Sequence, residues 1–200
     1  MRIGMLGKAV MCIAAGTSSW GARERLNVVI FDYAETPGET LNKAVVITRG
    51  LFRAAGVETD WTVCRMAKDH KTTCEIPLTG TWLKSVVLAE ADRHAREAMG
   101  KALVTRTGEP VVSYVFFDRA VALAKHTGQP IHLVVACVLA HEIGHLMGLR
   151  HTSSGVMQAD LGQREIFEAA QDRLQFTAQD AQRLRDFGGS RPGGADAAGR

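Results

Sequence analysis

Between residues 141 and 151 the chain reads His141-Glu142-Ile143-Gly144-His145-Leu146-Met147-Gly148-Leu149-Arg150-His151, and no other stretch restricts the local fold as much. On a helix four residues turn the chain by about 400°, so His141 and His145 point the same way one turn apart. If the helix continued, His151 would lie about 240° around from His145 and roughly 9 Å further along the axis, facing away. For the third ring to join the first two, the chain must break and fold back. Gly148 stands where that break is needed, because glycine takes the positive φ that ends a helix and redirects the backbone. The pattern specifies five positions, and its chance occurrence is on the order of one in ten thousand for a chain this long, far below that of H-E-x-x-H alone.

Three imidazoles converging on one cation have a definite chemistry. Neutral rings leave a zinc ion its full double charge and one open coordination position, where the pKa of a water falls to about 7. Glu142, next to the first ligand, is placed to take that water's proton and pass it to a leaving amine. A structural zinc site would fill all four positions with protein ligands, commonly including cysteine, and this segment offers no fourth. Expected metal ligands are therefore His141, His145 and His151, with Zn2+ as cofactor and Glu142 as general base.

With these residues in view, the segment resembles the metzincin zinc peptidases, whose long signature is followed by a tight turn carrying a methionine beneath the metal. Here Ser154-Gly155-Val156-Met157 supplies the turn, and the short interval after His151 is similar to small bacterial-type members. The resemblance covers residues 137–157. It implies an α/β (α+β) zincin: a twisted mixed sheet, an active-site helix and a small C-terminal helical subdomain. It also implies an endopeptidase acting on a peptide or protein substrate, with Gly148 as the bend and Met157 as the floor of the site. Several metzincins carry a tyrosine shortly after the turn methionine; this chain has Gln158-Ala159-Asp160, which leaves oxyanion stabilisation unassigned. Two other functions share the same motif: a zinc-containing binding protein without catalysis, and a zinc hydrolase of a non-peptide amide.

The rest of the chain is read from periodicity and punctuation. Leu26–Tyr33, Val57–Cys64, Leu83–Leu88 and Val111–Phe117 are strand candidates, rich in β-branched and aromatic residues. Leu41, Ala44, Val45, Ile47, Leu51 and Phe52 recur near helical spacing from Glu39 to Ala55, with Gly56 as a stop. The first strand, this helix and the second strand suggest a right-handed crossover. The apolar run from Ile131 into the histidine motif reads as a buried helix by its length. Thr177 and Asp180 are spaced as a capping box before a last short helix. The stretch 89–108 carries no clear pattern. By the resemblance, Val111–Phe117 is the candidate edge strand that would pair with an extended substrate; an interior strand is the other reading.

At 200 residues with 46% hydrophobic and 22% charged residues, the chain suits one globular core, and no apolar run reaches the length of a membrane span. A formal charge of +3 not gathered into a stripe leaves no footprint for nucleic acid. Nothing in the sequence specifies an oligomeric state. Arg2, Lys8, an apolar stretch from Ala9 to Gly16 and Ala22 have the layout of a short secretory signal over residues 1–22. The catalytic domain would then span 23–187 and a disordered tail 188–200. Loss of Arg2 and Lys8 would bring the mature charge to about +1. Export places the chain outside the cell or in the periplasm; a frayed N-terminus would leave it cytoplasmic. In an oxidising compartment Cys64 and Cys74 could close a disulfide, while Cys137 reads as a small buried hydrophobe. Asp160 reads either as acceptor of a ligand ring proton or as a loop residue. Glu165 or Glu168 would replace His151 only in a different zincin arrangement. His70, His94, His126 and His132 lack partners at ligand spacing.

Overall fold

The computed structural model of the protein describes residues 25–66, 74–76, 82–91 and 98–189; the expected signal segment, the glycine-rich end beyond Gly189, His70 and His94 lie outside them. The run LNVVIFD forms β1 (Leu26–Asp32), with Val28, Val29 and Ile30 all fully buried. Burial of consecutive residues means that both faces of this strand are covered, as parallel strands with crossover helices require. From β1 the chain passes through α1 (Gly38–Ala54) into β2 (Thr59–Arg65), which pairs with β1 in parallel. The helix buries Leu41, Ala44, Thr48 and Phe52, a three-and-four spacing that gives one apolar stripe. It stops at Gly56 (φ +84°), where the Gly56 amide donates to the Arg53 carbonyl and the Val57 amide to that of Phe52.

On the other side of β1, β3 (Trp82–Leu88) pairs in parallel, followed by β5 (Pro110–Phe116) and finally β4 (Gly100–Val104), antiparallel to β5. The five-stranded mixed sheet has the order β2-β1-β3-β5-β4. This order corrects the substrate-ledge expectation. The strand at Val111–Phe117 is interior, and the edge belongs to β4, inside the stretch that showed no pattern in sequence. β4 is five residues long with a register shift at Leu103/Val104, too short and irregular for alternation to show.

Two helices also escaped periodicity. α2 (Phe117–Thr127) follows β5 with no loop between them, so the aromatic run VVSYVFF hides the change of element. α4 (Gln163–Ala170) is only eight residues long. α3 (Ile131–Leu146) is buried without interruption from Leu133 to Gly144 and packs against α1, α2, β4 and β5. α5 (Ala178–Gly189) starts at the expected cap: the Asp180 amide donates to Thr177 Oγ1 at 3.1 Å. It runs two residues past the expected end of the folded region. Leu26 through Leu184 contribute to one hydrophobic cluster, so the C-terminal helices share the core of the sheet and α3.

Cys64 and Cys74 form a disulfide, with Cα atoms 5.0 Å apart, at the end of edge strand β2. No helix among the described residues is long and apolar enough to cross a membrane.

Candidate metal centre

α3 ends where its polar residues begin. His141 and Glu142 are each only 5% exposed, His145 is half-buried and His151 lies at the surface. The helix closes in a glycine-dependent turn. The Gly148 amide donates to the His145 carbonyl and the Leu149 amide to the Gly144 carbonyl, both at 3.0 Å, with Gly148 at φ +83°. That reversal brings His151 back over the helix end, as its position requires. His145 Nε2 lies 3.1 Å from His141 Nε2 and 3.1 Å from His151 Nε2, and the ligand atoms of all three rings fall within 4.8 Å of one another.

The other ring nitrogens explain what this cluster can hold. His141 Nδ1 is 2.8 Å from the Val156 carbonyl and His145 Nδ1 is 2.9 Å from the Leu149 carbonyl. A carbonyl only accepts, so each Nδ1 carries the proton and, in a neutral ring, each Nε2 presents a bare lone pair. Protonation would relieve the close lone pairs, but burial pushes the His141 pKa down to about 4, against the opposing pull of the Val156 carbonyl. His145 is lowered too, again chiefly by burial. At neutral pH a cation would satisfy the lone pairs of His141 and His145, and His151 Nε2 lies close enough to join them. A tetrahedral ion with bonds of about 2.0–2.1 Å to nitrogen sets its ligands about 3.3 Å apart, and imidazole donors suit first-row transition metals. The observed spacing fits.

Met157 is fully buried, with its sulfur packed against Gly144 of α3. Its turn is tied at both ends: the Thr152 amide donates to the Met157 carbonyl at 2.9 Å and the Val156 amide to the Gln175 carbonyl at 3.0 Å. Gly155 sits at φ +78°, and any Cβ there would meet the Gln175 carbonyl oxygen at 2.5 Å. The turn thus serves two ends at once, placing Met157 and presenting the Val156 carbonyl to His141.

Glu142 faces the cleft beside the histidines. Its Oε2 is buried with no hydrogen-bond partner among the described residues, and burial pushes its pKa up to about 8. A buried acceptor without a donor costs roughly 1–3 kcal/mol, an expense that a site binding a proton-bearing molecule would recover. The cleft measures about 950 Å³, and Gly100, Ala102, Leu123, Leu149 and Leu161 contribute to its walls. The Phe116 amide donates to the Met99 carbonyl at 3.0 Å, so the next pair in register, Gly100 with Val115, is a non-hydrogen-bonded pair. Gly100 and Ala102 therefore turn their N–H and C=O groups away from β5, toward the side of β4 that no strand among the described residues occupies.

Asp160 lines the cleft, but the ring protons of His141 and His145 go to backbone carbonyls instead. Glu165 accepts from the Gly162 amide and from Arg164, each at 3.0 Å, and so caps α4. Neither Glu165 nor Glu168 joins the three histidines, and His126 and His132 stand apart from them as well. Cys137, one turn before His141, is fully buried with its thiol pushed up to about 12 by burial. Gly100 was not legible as a site residue, since a lone glycine in an unpatterned stretch carries no signal. No protein-family model matches the chain, and no curated protein matches it.

Proposed function

We propose that the chain is a zinc-dependent endopeptidase of metzincin type, with His141, His145 and His151 holding the metal and Glu142 acting as general base. The observation that carries this reading is the convergence of three Nε2 atoms beside a buried carboxylate whose Oε2 has no partner among the described residues. When bound, zinc polarises a scissile carbonyl and lowers the pKa of a water to about 7. The protein's part is to hold and to move protons. The Val156 and Leu149 carbonyls lock two rings in the tautomer that leaves Nε2 free. Glu142 accepts a proton at its carboxylate and returns it to the leaving amine.

A peptide is favoured over a small amide by the open edge of β4. Gly100 and Ala102 can pair with an extended backbone by strand addition, in a cleft of about 950 Å³ that takes several residues. The disulfide Cys64–Cys74 supports a secreted or periplasmic protein, since such bonds persist in oxidising compartments.

The test joins zinc quantification to proteomic cleavage profiling of the wild type and Glu142→Gln. Near-stoichiometric zinc in both proteins is expected, with cleavage slowed by about 10² to 10⁴ in the variant. Equal cleavage by the two proteins would remove Glu142 from the role. Zinc without any cleavage by the wild type would point to the binding-protein reading.

A further inference from the structure

A Cβ built on Gly100 would stand 2.7 Å from Glu142 Cγ and 2.7 Å from Glu142 Oε1. Those separations are far inside van der Waals contact. Gly100 is buried, lies on the free edge of the sheet, and borders the same cleft as the three histidines. Its neighbours show that the approach is two-sided, because the Tyr114 carbonyl oxygen lies 2.6 Å from the same Cβ position. The Glu142 carboxylate thus rests directly on the backbone of β4, in space open only because residue 100 has no side chain. From the structure we infer that Gly100 is a positioning residue for Glu142: the bare backbone of the edge strand sets where the general base stands relative to the metal ligands.

This rests on the proposed role of Glu142, and it gives Gly100 a double duty. The N–H and C=O groups that would receive a peptide belong to the residue that the base leans on. A peptide paired with β4 at Gly100 is therefore delivered next to the Glu142 carboxylate with no intervening side chain. Alanine at position 100 would push the carboxylate or the strand by about an ångström, a displacement that can cost about 10² in rate.

Four zinc-loaded proteins test this: the wild type, Gly100→Ala, Glu142→Asp and the double variant. Aspartate lacks one methylene and withdraws the carboxylate from the Cβ position. For Gly100→Ala we expect kcat to fall by about 10- to 100-fold with KM within about threefold and zinc retained. In the Glu142→Asp background the same alanine is expected to cost less than about threefold, and at least half of its loss of thermal stability is expected to vanish. If the alanine lowers rate and stability equally in both backgrounds, its effect runs through Tyr114 and the inference fails. Unchanged kcat in Gly100→Ala would overturn it as well. Should the wild type bind zinc and cleave nothing, the peptidase reading fails separately. The stability coupling between positions 100 and 142 still decides whether the contact positions the carboxylate.

Discussion

The sulfur of Met157 occupies the place where a side chain on Gly144 would begin, 2.6 Å from the Cβ position. Gly144 sits on α3 between His141 and His145, so the turn after the third histidine is packed onto the helix that carries the first two. Gly144→Ala sets two effects against each other. Alanine favours a helix interior over glycine by about 1 kcal/mol, while overpacking a filled core costs about 1–3 kcal/mol. Because the Met157 sulfur is fully buried and its turn is tied to Gln175, overpacking should prevail. Denaturant unfolding should show a net loss of about 1–2 kcal/mol, accompanied by weaker zinc binding.

His151 is exposed and comes from a turn rather than from the buried helix. His151→Ala should therefore leave the fold nearly intact and reduce zinc affinity by at least about 10²-fold, while His141→Ala lowers both affinity and stability. Competition against a chromophoric chelator, paired with thermal melts, separates the two. Equal stability losses in both variants would contradict the burial difference.

Cys137 gives a pH dependence of known sign. Burial raises its thiol from 9.0 to about 12 in the folded chain, so between these values the unfolded chain ionises and the native one does not. The contribution of this group to stability is complete below about pH 9 and is lost as pH rises toward 12. Cys137→Ala should flatten that alkaline decline in urea midpoints measured from pH 8 to 10.5. The native thiol should also resist maleimide at neutral pH until the protein is unfolded.

The Cys64–Cys74 bridge closes a loop of about ten residues at the end of β2, and a loop of that size is worth roughly 2–3 kcal/mol through the unfolded state. Replacing both cysteines by serine should lower stability by up to that amount. The three histidines lie in other elements of the fold, so the zinc stoichiometry expected of the proposed site should be unchanged. Urea titration and metal analysis of the double variant check both halves.

Gly50 lies inside α1, exposed, with nothing among the described residues within 4 Å of its Cβ position. Gly50→Ala is expected to stabilise the protein by about 0.5–1 kcal/mol, because the helix gains propensity without steric conflict. A lower melting temperature would show that this face of α1 is packed against something.

The histidine spacing, Gly148 and the buried character of α3 were legible in the chain because they are local: helical angle, ligand register and glycine's access to positive φ depend on near neighbours alone. So were β1, α1, β2, β3, the body of β5 and the Thr177 start of α5, each marked by periodicity or a cap. What only the tertiary structure decided is which strand forms the edge beside the three histidines, which carbonyls hold the rings, and where Glu142 rests. Those depend on pairing across distant segments, Met99 with Phe116, His141 with Val156, Glu142 with Gly100. A backbone carbonyl or an absent side chain leaves no mark in residue type. Asp160 carried two readings, ring-proton acceptor or loop residue, because carboxylates are visible in a sequence; the carbonyls that face the rings are present at every position, and only the fold selects among them.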